Sequence, residues 1–125
     1  MILLLDAHAV LWALSDPDRL LPTARSAIES QQNDVVVSAS SIWELEIKRA
    51  LGKLQFDGEL LVELERVGFD VISVTAVDAT TAARLPLHHR DPFDRMLVAQ
   101  AQRLTAIVAT RDPAFGAYEV DVLPA

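Results

Sequence analysis

The sequence predicts an α/β fold, a three-layer sandwich on a mostly parallel five-stranded sheet, and two observations carry that prediction. Five short runs rich in aliphatic and β-branched residues recur along the chain, and they are apolar at consecutive rather than alternating positions, as strands covered on both faces are. Segments with helical periodicity separate most of these runs, and strands alternating with helices imply a parallel sheet with helices on each side. With 125 residues, 51% of them hydrophobic, and no Pro/Gly-rich or long polar stretch to act as a linker, one domain over residues 1–125 is expected.

The first strand is read at Ile2 to Leu5 and stops at Asp6, with helices to follow at Ala7 to Leu14 and Pro22 to Gln31. The second strand is read at Val35 to Ser38, before helices at Ile42 to Leu51 and Glu59 to Val67. Ser41 with Glu44 three residues later has capping-box spacing, and Gly52 is well placed to end that helix. Val71 to Val74 makes the third strand, followed by helices at Ala79 to Arg84 and Pro92 to Leu104. Asp91-Pro92 reads as an N-cap with proline at the first helical position. The fourth strand is Ala106 to Ala109 and the fifth Val120 to Leu123. The connection around Pro113 to Gly116 is too short for a crossover helix and reads as a turn or one helical turn.

Composition narrows the function classes. The absence of cysteine removes disulfide frameworks, thiolate zinc sites and cysteine nucleophiles together. The N-terminal aliphatic run is too short for a signal-peptide core and lacks a basic flank, and nothing reaches membrane-spanning length, so a cytoplasmic protein with no membrane partner is the expectation. A net charge of -7 argues against general affinity for nucleic acid, which normally rests on a basic face. Any nucleic-acid role has to rest on a local patch and on bound cations.

Four acids stand where apolar stretches end or helices begin: Asp6, Glu44, Asp94 and Asp112. Each has a local explanation. Asp6 can cap the first helix, Glu44 can complete a capping box or pair with Lys48, Asp94 can face a helix dipole, and Asp112 can open the turn at Pro113. In a parallel sheet, however, ligands bind outside the carboxyl ends of the strands, and Asp6 and Asp112 both fall on that edge. If all four converge there they repel one another, and a hard cation such as Mg²⁺ or Mn²⁺, which seeks carboxylate oxygens, relieves them. Two such ions about 4 Å apart can activate a water and stabilise the leaving oxygen in phosphodiester cleavage.

The remaining chemistry-bearing residues have plainer readings. His8, His88 and His89 are read as solvated or packing histidines, and Trp12 and Trp43 as packing residues near the core. Lys48, Arg49 and Lys53 lie beyond Glu44, while Arg90, Arg95 and Arg111 flank the other acids. Most are expected to be solvated or paired with carboxylates, and they are the local candidates for holding a nucleic-acid backbone.

The segments Leu4 to Trp12 (LLDAHAVLW), Ser38 to Glu44 (SASSIWE), Lys48 with Gly52 to Leu54, Leu85 to Ala101 (LPLHHRDPFDRMLVAQA) and Thr110 to Asp112 resemble the PIN-domain ribonucleases, and within them VapC-type toxins. The likeness spans nearly the whole chain, and the fourth segment is its most specific part. It implies a Mg²⁺- or Mn²⁺-dependent endoribonuclease whose metal ligands and catalytic acids are Asp6, Glu44, Asp94 and Asp112, with Asp6 and Asp94 the most dependable ligands. It also implies an RNA substrate, a homodimer and a cognate antitoxin protein. Ala7 departs from the pattern, because relatives often carry a Thr or Ser there whose hydroxyl can support the site.

Three other assignments compete with this one. A receiver-type phosphotransfer domain needs an acidic pair after the first strand, an acceptor Asp after the third and a late Lys, whereas this chain has Ala7 and His8, then Ser73-Val74-Thr75, and no lysine after Lys53. A haloacid-dehalogenase-like phosphatase needs an acid where His8 stands. A PIN fold that binds without turnover stays open.

Overall fold

The computed structural model describes residues 1–125 and holds one sheet of five strands: β1 (Ile2–Leu5), β2 (Asp34–Ser38), β3 (Asp70–Ile72), β4 (Ile107–Thr110) and β5 (Asp121–Pro124). Their order is β3-β2-β1-β4-β5, and every pairing is parallel. The chain builds outward from β1 to β3 and then lays β4 on the other side of β1. This reversal creates a crevice at the carboxyl ends of β1 and β4, where a doubly wound sheet binds its ligands. The register puts Leu5 level with Val37 and Ala109, so Asp6 leaves the sheet beside the end of β4.

Six helices cover the sheet: α1 (Ala7–Ser15), α2 (Pro22–Glu29), α3 (Ala39–Ala50), α4 (Leu60–Val67), α5 (Ala76–Arg84) and α6 (Pro92–Leu104). Alternate residues of one strand serve opposite layers. Leu3 and Leu5 of β1 pack with Val10, Ala24, Leu60 and Leu64, from helices α1, α2 and α4. Leu4, between them, joins Leu97, Val98 and Ala101 of α6, together with Phe115. All three leucines are fully buried, which explains why the run is apolar at every position. Truncating any one of them to alanine costs about 2–5 kcal/mol by lost transfer energy and residual cavity.

The predicted strands agree with the observed ones to within two residues at either end. Two helices begin earlier than their apolar pattern suggests. Helix α3 starts directly after β2, with Ser38 as N-cap accepting a hydrogen bond from the Ser40 N–H at 3.1 Å. Ser41 therefore lies buried inside the helix, and the capping-box reading of Ser41 with Glu44 is wrong. Helix α5 starts at Ala76 because Thr75 and Asp78 form a reciprocal capping box there. Gly52 has φ of 71°, the left-handed conformation that follows a helix end, and the next N–H, of Lys53, donates back to the Lys48 carbonyl. Pro113–Ala117 forms the expected single turn, of 3₁₀ type.

Candidate active site

Three of the four acids, Asp6, Asp94 and Asp112, reach the crevice because a local hydrogen bond fixes the backbone that carries them. Asp6 caps α1 through Oδ1, which accepts the Ala9 N–H at 2.8 Å. Its Oδ2 accepts the buried Thr110 hydroxyl at 2.6 Å, and Thr110 Oγ1 in turn accepts the Asp112 N–H at 3.0 Å. Thr110, at the end of β4, thus joins two acids that are 106 positions apart in sequence. Asp112 Oδ1 accepts the Ala114 N–H at 2.9 Å and opens the turn, while Oδ2 faces the neighbouring side chains. Asp91 caps α6 by accepting from Phe93 and Asp94 N–H groups, which aims the first turn, and Asp94 with it, at the same place. Glu44 projects from α3 with its side chain only 13% exposed, and pairs with Lys48 Nζ at 2.9 Å.

His89 stands among them, and the reading of it as a solvated or packing residue is corrected. Its Nε2 lies 2.8 Å from Asp94 Oδ2 and 3.0 Å from Asp112 Oδ2. These three side chains present atoms all within 4.8 Å of one another. Asp6 and Glu44 stand outside this tight group but within electrostatic reach of it.

The Asp94 carboxyl is pushed up to about 7, first by desolvation and then by the charges of Asp91, Glu44 and Asp6, with His89 opposing them. Burial also raises Asp6, against the hydrogen bonds from Thr110 and Ala9 that favour its ionised form. Both shifts arise first from burial, with like charge nearby adding to them, and such perturbed groups cluster where chemistry is done. The donor set is dominated by carboxylate oxygen and has no sulfur, which suits a hard divalent cation.

The basic residues divide. Arg95 is buried and donates to the carbonyls of Ala82, Ala83, Leu85, Pro86 and His89, so it shapes the segment that carries His89 and is closed to substrate. Arg111 donates to the carbonyls of Arg19 and Ala125 and lies 4.4 Å over the Trp12 ring. Arg49 is held by Glu46 and by the carbonyls of Phe56 and Gly58. Lys53 and Arg90 are exposed, and no side-chain hydrogen bond or ion pair engages them. Trp43 is 64% exposed, against the expectation of core packing. It meets Phe93 edge-on at 5.4 Å and, with Val74 and Met96, lines an apolar groove beside Glu44 and Asp94. His8 is exposed and stacks on Trp12, and His88 is exposed against Tyr118. No helix is long and apolar enough to cross a membrane.

Known proteins share this fold and sequence pattern. The chain is 33% identical over 101 residues to Ribonuclease VapC22 of Mycobacterium tuberculosis, covering 78% of this chain and 77% of that protein. Its fold is similar to VapBC2 from Rickettsia felis, solved bound to a promoter DNA fragment, with a TM-score of 0.71 at 14% identity over 98% of each chain. It is also similar to VapBC-5 from Mycobacterium tuberculosis, a member of the VapBC family of toxin–antitoxin systems. That match has a TM-score of 0.63 at 21% identity, over 99% of this chain and 98% of the other. The PIN-domain family model matches residues 3–121, and the chain belongs to the PIN-domain family.

Proposed function

We propose that this chain is an endoribonuclease that hydrolyses RNA phosphodiester bonds with Mg²⁺ or Mn²⁺, and that it is the toxin of a toxin–antitoxin pair. The observation that carries the reading is the grouping of Asp94 and Asp112 at the carboxyl edge of the sheet, with Asp6 and Glu44 within electrostatic reach and Asp94 pushed to about 7. The name of the mycobacterial relative supports the ribonuclease activity, and the solved VapBC neighbours motivate the antitoxin partner. An acidic toxin surface, net charge -7, favours a basic antitoxin segment over the site.

Asp6 and Asp94 would hold the cation, with Glu44 and Asp112 completing the site directly or through water. A divalent cation supplies positive charge and Lewis acidity toward a phosphoryl oxygen. The chain's own residues do the positioning. Thr110 fixes the Asp6 carboxylate and, through the Asp112 backbone, its neighbour. The caps of α1 and α6 lock the two helix starts that bear Asp6 and Asp94. Exposed Lys53 and Arg90 remain available to an RNA backbone.

The test is cleavage of RNA by the purified chain with and without Mg²⁺ or Mn²⁺, beside Asp6→Asn and Asp94→Asn. Loss of cleavage in EDTA and in both variants is expected. Cleavage that survives EDTA or both substitutions contradicts the mechanism, and RNA binding without turnover favours a PIN fold used only for binding. The receiver-type reading fails on topology as well: its sheet runs 2-1-3-4-5, not the order found here, and Ser73 follows β3 where an acceptor Asp is needed.

A further inference from the structure

His89 faces the acids as a hydrogen-bond donor. The Asp91 N–H points at His89 Nδ1 at 3.3 Å, so Nδ1 offers its lone pair and this contact assigns the ring hydrogen to Nε2. That Nε2–H lies between Asp94 Oδ2 and Asp112 Oδ2, at 2.8 and 3.0 Å. Ligating a metal through Nε2 would move the hydrogen to Nδ1, where it would meet the Asp91 N–H with no acceptor between them. The backbone around the ring is tied down and resists that change. The His89 N–H donates to the Tyr118 hydroxyl at 2.9 Å, and its carbonyl accepts from Arg95 at 3.2 Å.

The same contact explains why Asp94 is free to serve the site. An acid three residues after an N-cap ordinarily folds back onto the cap's N–H, as Asp78 does with Thr75. At α6 the equivalent N–H, that of Asp91, is taken by the His89 ring instead.

We propose that His89 is a displaceable bridge: its Nε2–H spans Asp94 and Asp112 in the cation-free protein, takes the place between them, and competes with the cation rather than ligating it. This rests on the metal-dependent reading above. Two consequences follow from the chemistry. The cation site is all oxygen, so it favours Mg²⁺ and Mn²⁺ over ions that seek imidazole. Its affinity is also held below what the carboxylates alone would provide.

Calorimetric titration of the wild type, His89→Ala and His89→Gln with Mg²⁺, Mn²⁺ and Ni²⁺ at one pH tests this, with thermal melts to verify folding. His89→Ala is expected to bind Mg²⁺ and Mn²⁺ roughly fivefold tighter, about the effect of removing one competing hydrogen-bonded donor. His89→Gln, whose amide N–H can stand in for Nε2–H, is expected to stay within about twofold of the wild type on the same argument. Weaker Mn²⁺ or Ni²⁺ binding by His89→Ala would show a ligand and overturn the proposal, as would unchanged affinity. Should no form bind a divalent ion, the metal-dependent reading falls with it. Independently of any variant, ring ¹⁵N shifts of wild-type His89 in EDTA are expected to report the Nε2–H tautomer, and the Nδ1–H tautomer overturns the proposal.

Discussion

Asp78 and Asp94 hold the same position in two consecutive helices, three residues after the N-cap, yet their surroundings drive them in opposite directions. Asp78 is buried with every demand met. It accepts from Arg103 Nε at 2.6 Å and Nη2 at 3.0 Å, closes the capping box on the Thr75 N–H, and sits 3.4 Å from Gln100 Nε2. The Arg103 hydrogen bonds, with help from Thr75, hold its carboxyl down at about 2. Asp94 has no arginine and no capping-box bond, and is surrounded by Asp91, Glu44 and Asp6. The first acid stabilises the α5–α6 contact, and the second is buried among like charges that a proton or a cation relieves. Position in a helix does not decide the role of a carboxylate; burial and the partners around it do.

Substitutions at the two positions should separate accordingly. The largest effect is expected at Asp94, where Asp94→Asn should lower RNA cleavage by at least ~10²-fold, comparable to losing one electrostatic group of an active site. Asp78→Ala should leave the cleavage rate per folded molecule near wild type and destabilise the fold by about 2–3 kcal/mol, since Arg103 and the Thr75 N–H lose their partner. That corresponds to roughly 10 °C in melting temperature for a chain of this size. Equal loss of activity in the two variants would erase the distinction.

A smaller effect of opposite sign is expected from Asp94 on stability. Its folded pKa, about 7, lies above the ordinary value of 3.8, so the folded state holds a proton that the unfolded state has released. Stability of the cation-free protein should therefore fall as pH rises from about 4 to about 7. Asp94→Asn should remove that slope and raise the melting temperature in EDTA at pH 8 by a few degrees. Added Mg²⁺ should stabilise the wild type and leave Asp94→Asn nearly unmoved. A variant that melts lower than wild type in EDTA at pH 8 would mean that Asp94 is not electrostatically strained.

Much of this arrangement was legible in the sequence because its determinants are local. Consecutive apolar residues announce strands buried on both faces, Asp91-Pro92 announces the start of α6, and both features stand within one or two residues of where they were read. The acids at strand ends were readable for the same reason. What escaped depends on contacts between distant segments. Thr110 supports Asp6 across 104 positions, supplying a hydroxyl near the departure noted at Ala7. The role of His89 depends on the ring reaching back to the Asp91 N–H and across to β4's end. The signal was present as a histidine two residues before a capping aspartate, but nothing local distinguishes it from a solvated one. The start of α3 is hidden in the sequence because Ser38 serves as both strand end and cap, leaving no loop residues to mark the boundary.

If the acids at the ends of β1 and β4 are assembled for a cation, the Asp94 carboxyl should respond to that cation more than any other group. Following its side-chain carboxyl by NMR across pH, first in EDTA and then in saturating Mg²⁺, should show titration near 7 without the ion and a shift well into the acidic range with it. Titration near 3.8 in EDTA, or a midpoint that Mg²⁺ leaves in place, would contradict the account.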